Sequence, residues 1–229
     1  MTKIYLSPSN QNANTYYYGN TNEMEQCNRI AEAAEKHLKR NGYEVKRAQK
    51  GQDMNVSIRE SNNWGADVHV PIHTNAGGGR GALVMVHAKV PANSKYAQPV
   101  YDNLMDICPK GGGYGVRTDN EICGYDLSEI VDTSAIAVYC ECEFHDNAEL
   151  AKWIIENVDK IGEAIAKGIC EGDGKTYIPE EPPKPVEPTK NVFYRVQTGA
   201  FVDRNNAERE AAKLKSEGHE AIIVEVEKK

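Results

Sequence analysis

Hydrophobic and polar positions alternate most cleanly through Val68-His69-Val70-Pro71-Ile72-His73-Thr74-Asn75-Ala76. Such alternation running into a small polar turn predicts a buried strand that delivers a side chain, His73, at its carboxyl end. A second apolar run, Ala135-Ile136-Ala137-Val138-Tyr139-Cys140, closes on Glu141 and predicts another strand with a polar residue at its end. Shorter strands are expected over Lys3 to Leu6, Tyr43 to Ala48 and Ala82 to His87. Between them the period changes to that of a helix. Cys27, Ile30, Ala31, Ala34 and Leu38 form one stripe, with Asn22 as N-cap, Glu25 completing a capping box and Asn41-Gly42 as the stop. Further helices are expected over Ile58 to Trp64, Ser94 to Cys108 and Ala148 to Cys170. Pro109 to Asp132 reads as loop, a wall of a groove. Its Gly111-Gly112-Gly113 lacks the Lys-Ser/Thr and the strand–loop–helix frame of a phosphate site.

Strands alternating with helices predict an α/β fold, a mostly parallel central sheet with helices on both faces, over residues 1–176. The pattern then breaks. Residues 177–190 carry five prolines among alternating charges, the composition of an extended linker without a core. Residues 191–229 resume a regular pattern and predict a small β-α-β module: a strand to Phe201, a helix over Asn205 to Glu217, and a strand over Ala221 to Val226.

Composition narrows the function classes. A formal charge of −7 offers no basic face for nucleic acid. No window approaches the roughly 18 apolar residues of a membrane span. The N-terminus goes directly into a strand without a secretory h-region, so cytosolic synthesis is expected, with release by a holin, by lysis or by a non-classical route. The six cysteines lack paired metal spacing and read mainly as reduced apolar fillers, with a Cys108–Cys123 disulfide left open.

The chemistry-bearing positions are His73 and Glu141, a histidine and a carboxylate at two strand ends, where open α/β sheets gather their ligands. The pair suggests a metal and a general base. His69 is four residues before His73 on one strand, about 13 Å away at roughly 3.3 Å per residue, and reads as structural. His37, His87 and His219 have no supporting constellation; His37 falls on the polar side of the first helix.

Four stations in order resemble the zinc-dependent N-acetylmuramoyl-L-alanine amidases of bacterial autolysins and phage endolysins. They are Ser7-Pro8-Ser9-Asn10, Asn22-Glu23, Ile72-His73-Thr74-Asn75-Ala76, and Cys140-Glu141-Cys142-Glu143-Phe144-His145-Asp146-Asn147. The resemblance implies one Zn²⁺ per chain, with Glu23 and His73 as ligands and Glu141 as the base for a metal-held water. That water would cleave the amide between muramic acid and L-alanine in peptidoglycan. The first station departs, because Asn10 stands where the family carries histidine, and an amide oxygen is a poorer zinc donor than imidazole. The third ligand is therefore His145, placed just past the Glu141 strand, or Asn10 itself; a silent wall-binding protein with the same fold is the alternative. Glu143 reads as an outer-shell partner orienting a histidine, or as a solvated carboxylate.

The C-terminal piece resembles half of a SPOR repeat, a peptidoglycan-binding module, through Tyr194-Arg195-Val196-Gln197-Thr198-Gly199-Ala200-Phe201, Asn206-Ala207-Glu208 and Lys213-Leu214. Its unpaired strand edges predict a homodimer through this module or packing onto the first domain.

Overall fold

A computed structural model of the 229-residue chain describes residues 1–87, 95–180 and 196–226. The chain divides into two compact units, Met1–Glu180 and Glu181–Lys229.

The first unit runs β1 (Lys3–Pro8), α1 (Glu23–Arg40), β2 (Glu44–Arg47), α2 (Met54–Trp64), β3 (Val68–Asn75), β4 (Leu83–Val86), α3 (Ala97–Ile107), β5 (Gly115–Thr118), α4 (Asp119–Cys123), α5 (Ser128–Val131), β6 (Ile136–Ala137), β7 (Tyr139–Phe144), α6 (Ala148–Glu156) and α7 (Val158–Gly172). The sheet order is β2-β1-β3-β7-β4-β5, with β6 paired to β3. Every pairing is parallel except β4 against β7. This is the expected α/β sheet.

Because side chains alternate across a strand, the sheet has two chemically different faces. Ile4 and Leu6 of β1, Val68, Val70 and Ile72 of β3, Val84 and Val86 of β4, and Cys140 and Cys142 of β7 share one apolar core with α1, α3 and α7. The opposite face carries Tyr5 and Ser7, His69 and His73, Tyr139 and Glu141. Here a smaller cluster of Leu83, Met85, Ile130, Ala137 and Tyr139 lies against α5. One face stabilises the fold and the other carries the polar chemistry. All six cysteines are free thiols, so the Cys108–Cys123 bridge does not form.

Several elements depart from the sequence expectation. Helix α2 starts earlier than Ile58, at Met54, because Asp53 caps it by accepting from the Asn55 N–H. The expected helix from Ala148 to Cys170 is two helices. Asn157 adopts φ −122°, ψ 21° and donates Nδ2 to the Trp153 carbonyl, which ends α6 before α7 begins. The stretch Pro109 to Asp132 contains β5, α4 and α5; α4 opens with a complete capping box between Thr118 and Glu121. Asn22 does cap α1 through the Glu25 N–H, but the Glu25 carboxylate pairs with Lys50 rather than closing a box. His37 is buried, not on a polar surface, and the Tyr177 hydroxyl meets its Nδ1 at 2.8 Å. Ile178 N–H to Asn41 and Glu180 to Lys36 and Arg40 continue that contact, so residues 177–180 of the expected linker lie along α1. The remainder of the linker, 181–190, lies outside the described residues.

Helix α7 packs between α1 and α3 through glycines. A Cβ on Gly162 would sit 2.6 Å from the Ala34 nitrogen, and one on Gly168 2.4 Å from the Val100 Cα. Both obstacles are neighbouring backbone, which cannot rotate away. Gly168→Ala is therefore expected to destabilise the unit by about 1–3 kcal/mol through overpacking, despite the better helix propensity of alanine. Urea unfolding measures it, and an unchanged midpoint would contradict the close packing.

In the second unit, helix α8 (Arg204–Ser216) forms, capped by Asp203. The two expected flanking strands are not formed among the described residues: 196–200 and 221–226 carry no ladder, while 191–195 lie outside them. Helix α8 buries no residue, and Val196, Ile222 and Val226 stay largely exposed. So few residues bury too little apolar area to fix strands. The strand edges on which a dimer through this module would rest are accordingly absent there.

Candidate metal and hydrolytic site

The site forms where β1, β3 and β7 end and α1 begins. Parallel pairing puts His73 of β3 directly beside Glu141 of β7, so both project from the polar face of the sheet. Glu141 does not close its strand, because β7 continues to Phe144 through a register shift after His73. Tyr139, two residues earlier on the same face, stacks on the His73 ring at 4.6 Å and 17° and fixes its plane.

Glu23, the first residue of α1, comes to His73 from the helix side: its Oε1 lies 2.8 Å from His73 Nδ1. The carboxylate also accepts from Asn14 at 2.7 Å. Burial opposes its charge, but the hydrogen bonds and charge of His73 outweigh this and hold Glu23 below the usual carboxylate range. His73 is buried as well, which alone would lower its pKa. The facing carboxylate of Glu129, the hydrogen bond to Glu23 and the charge of Glu141 overcome that and raise it to about 10.

Glu141 behaves oppositely. Its Oε2 is buried with no hydrogen-bond partner. Burial pushes its pKa up; His73 counters in part, Glu23 adds to the rise, and the result is about 7. A carboxyl group that titrates near neutrality beside a carboxylate–imidazole pair is suited to taking up and returning a proton.

Glu129 of α5, which the sequence reading missed, is buried on the other side of His73. It accepts from Ser7 Oγ and lies 3.3 Å from His69 Nε2; its second oxygen is 3.8 Å from His73 Nε2. These partners, against the cost of burial, hold its pKa down at about 2. The Thr118–Glu121 capping-box spacing was the one signal that structure begins before it.

A cavity of about 190 Å³ opens beside these groups, lined among others by Ser9, Asn10, Gln52, His73, Glu129 and Tyr139. Asn10 is exposed at its rim and donates Nδ2 to the Gln52 carbonyl. His145 is turned elsewhere. Its Nδ1 lies 3.0 Å from Thr74 Oγ1 and its ring stacks on Tyr16 at 5.1 Å. Thr74 projects from the face of β3 opposite His73. Glu143 is fully buried and accepts from the backbone N–H groups of Gly81 and Phe144 at 2.7 and 2.8 Å. Its role in the fold is to tie the loop after β3 to β7, and it orients no histidine. The structure thus brings Glu23, His73 and Glu141 together and leaves His145 and Glu143 apart from them.

Whether these residues suit a metal is decided by their donors. Among the described residues no three His, Cys, Asp or Glu side chains are drawn into a ligand cluster. Yet an anionic carboxylate meets an imidazole nitrogen at 2.8 Å, and the neighbouring Glu141 oxygen is an unsatisfied buried acceptor. That carboxylate–imidazole pair fits a divalent cation, and Asn10 lines the neighbouring cavity together with His73.

Residues 9–171 match the family described as N-acetylmuramoyl-L-alanine amidase, and residues 190–229 match the SPOR domain. The N-acetylmuramoyl-L-alanine amidase CwlM of Bacillus licheniformis is 24% identical over 98% of this chain and 85% of its own length. Among solved structures, the catalytic domain of CwlV from Bacillus (Paenibacillus) polymyxa superposes with a TM-score of 0.65 at 17% identity. The superposition covers 77% of this chain and all of that one. The amidase AmiC2 of Nostoc punctiforme gives 0.64 at 16%, over 76% and 98%. At such identities the structures speak for the fold, while the family match spans more than two thirds of the sequence: the chain belongs to the N-acetylmuramoyl-L-alanine amidases.

Proposed function

We propose that this peptidoglycan amidase works as a metal-dependent hydrolase in which Glu23 and His73 hold the cation and Glu141 is the general base and acid. The observation that carries the reading is the buried, unpartnered Glu141 oxygen beside the Glu23–His73 pair. Zinc is the expected ion, from the family's habit and the imidazole–carboxylate donors. When bound, a divalent cation supplies Lewis-acid polarisation of the scissile carbonyl and acidifies water.

Glu141, poised near neutrality, accepts the proton of the attacking water and returns it to the departing amine nitrogen of L-alanine. Tyr139 holds the His73 plane, and the cavity that opens on His73 lies beside Asn10. Both matched families support binding to peptidoglycan, so the site of action is the cell wall. No helix among the described residues is long and apolar enough to cross a membrane.

Purified protein is expected to bind about one zinc per chain and to expose new amino-terminal L-alanine on the wall peptides, both lost with a chelator. Protein that binds walls but neither takes up metal nor exposes amino-terminal L-alanine would instead be the silent module.

For the third donor the reading favours Asn10, which lines the cavity with His73, over His145. Asn10→Ala is expected to weaken zinc binding several-fold, Asn10→His to strengthen it about 10-fold or more, and His145→Ala to leave it unchanged, since that ring faces Thr74. Zinc competition with a chromophoric chelator measures all three. Weaker binding on His145→Ala alone would reverse the assignment.

A further inference from the structure

Glu129 belongs to none of the stations that the family resemblance rests on, yet it is a buried carboxylate in contact range of the central histidine. We propose that Glu129 is a positioning residue for His73: its carboxylate faces Nε2 and so leaves Nδ1, beside Glu23, as the donor nitrogen. The inference rests on the metal-site reading above.

The geometry supplies each step. Stacking on Tyr139 fixes the plane of the ring but leaves two edges it could present. Glu23 Oε1 stands 2.8 Å from Nδ1, and Glu129 Oε2 stands 3.8 Å from Nε2, so each nitrogen faces its own carboxylate. Nε2 is buried and makes no hydrogen bond, so the Glu129 carboxylate at 3.8 Å acts on it as a facing charge. The two nitrogens of an imidazole point in divergent directions. A cation shared by His73 and Glu23 therefore lies on the Nδ1 side, away from Glu129.

Glu129 is itself held in place: Ser7 Oγ and His69 Nε2 both meet its Oε1, and Tyr5 stacks on His69 at 5.3 Å. His69, Glu129 and His73 form one buried row on the polar face of the sheet. A carboxylate on the far nitrogen of a ligating histidine fixes its tautomer and raises its basicity. Such a device matters most where one imidazole of the family's set is replaced by asparagine, as at Asn10.

The test compares wild type, Glu129→Gln and Glu129→Ala, with folding of each checked by thermal melting. Zinc affinity is read by competition with a chromophoric chelator, and the donor set by the visible absorption of cobalt(II) at saturation. The expected result is zinc binding about 10-fold weaker in Glu129→Gln and 10–100-fold weaker in Glu129→Ala, with the saturated cobalt band unchanged because no donor is lost. If Glu129→Ala does not fold, the isosteric Glu129→Gln decides alone. A dissociation constant within twofold of wild type in a folded variant overturns the proposal. So does a shifted or bleached cobalt band, which would make Glu129 a direct ligand. Wild-type protein that takes up neither ion would overturn the metal-site reading and this proposal with it, an outcome distinct from variants that match a metal-binding wild type.

Discussion

Replacing Glu141 by glutamine is expected to lower the rate of peptidoglycan hydrolysis by about 10²–10⁴-fold while leaving the protein folded and its metal content intact. The amide keeps the shape of the side chain but cannot take a proton from water. The same substitution should stabilise the metal-free protein above neutral pH, and the sign follows from the direction of the shift. Glu141 has a folded pKa of about 7, raised above its ordinary value of 4.5. Ionising it therefore costs more in the folded state than in the unfolded one. That penalty is absent below about pH 4.5, grows as pH rises, and is complete above about pH 7. Its size is on the order of 1–3 kcal/mol for a partly accessible residue. A variant that is inactive yet melts higher at pH 8 would be a loss of chemistry rather than of structure.

The catalytic pH profile tests the same group. The base works ionised, so kcat/KM should fall as pH drops, with a slope of one proton. A bound cation pulls the carboxyl pKa down, which puts this limb at or below pH 7. Undiminished hydrolysis by Glu141→Gln would remove the carboxylate from the mechanism.

Much of the sheet was legible because its central strands are buried along most of their length. The run Val68 to Asn75 was read as a buried strand delivering His73, and β3 is that strand, with Val68, Val70 and Ile72 in the core. Local chemistry also showed through: Asn22 before α1 and Gly65 after α2 act as the cap residues their types suggest. What stayed hidden depends on distant partners. His37 looks like a surface residue on a helical wheel until Tyr177, 140 positions away, covers it. Glu129 sits in a four-residue helix too short to impose a period, and nothing near it in sequence announces Ser7, His69 or His73 as neighbours. The orientation of His145 was set by Tyr16 and Thr74, again remote in sequence. In the second unit the failure is the reverse: the strand pattern is present in the residues, but α8 offers no buried face to order it.

Removing either member of the central pair, by His73→Ala or Glu23→Ala, is expected to abolish hydrolysis and weaken zinc binding by more than about 100-fold, since each change deletes a donor. The two variants should also lose stability without metal. Glu23 is a buried carboxylate whose charge is held mainly by His73, so truncating the imidazole leaves an uncompensated charge, at a cost of about 3–5 kcal/mol. His73→Ala still leaves Asn14 on Glu23, which places the loss toward the lower end. The double variant should be less destabilised than the two single losses added together, because the second change removes the charge that the first one stranded. Chelator-treated protein melted with and without added zinc separates the two effects: metal should raise the melting temperature of wild type and do little for either variant. Were zinc to stabilise His73→Ala as strongly as wild type, the cation would lie elsewhere. The residues gathered at the ends of β3 and β7 would then amount to a structural ion network, and the retained fold would serve wall binding alone.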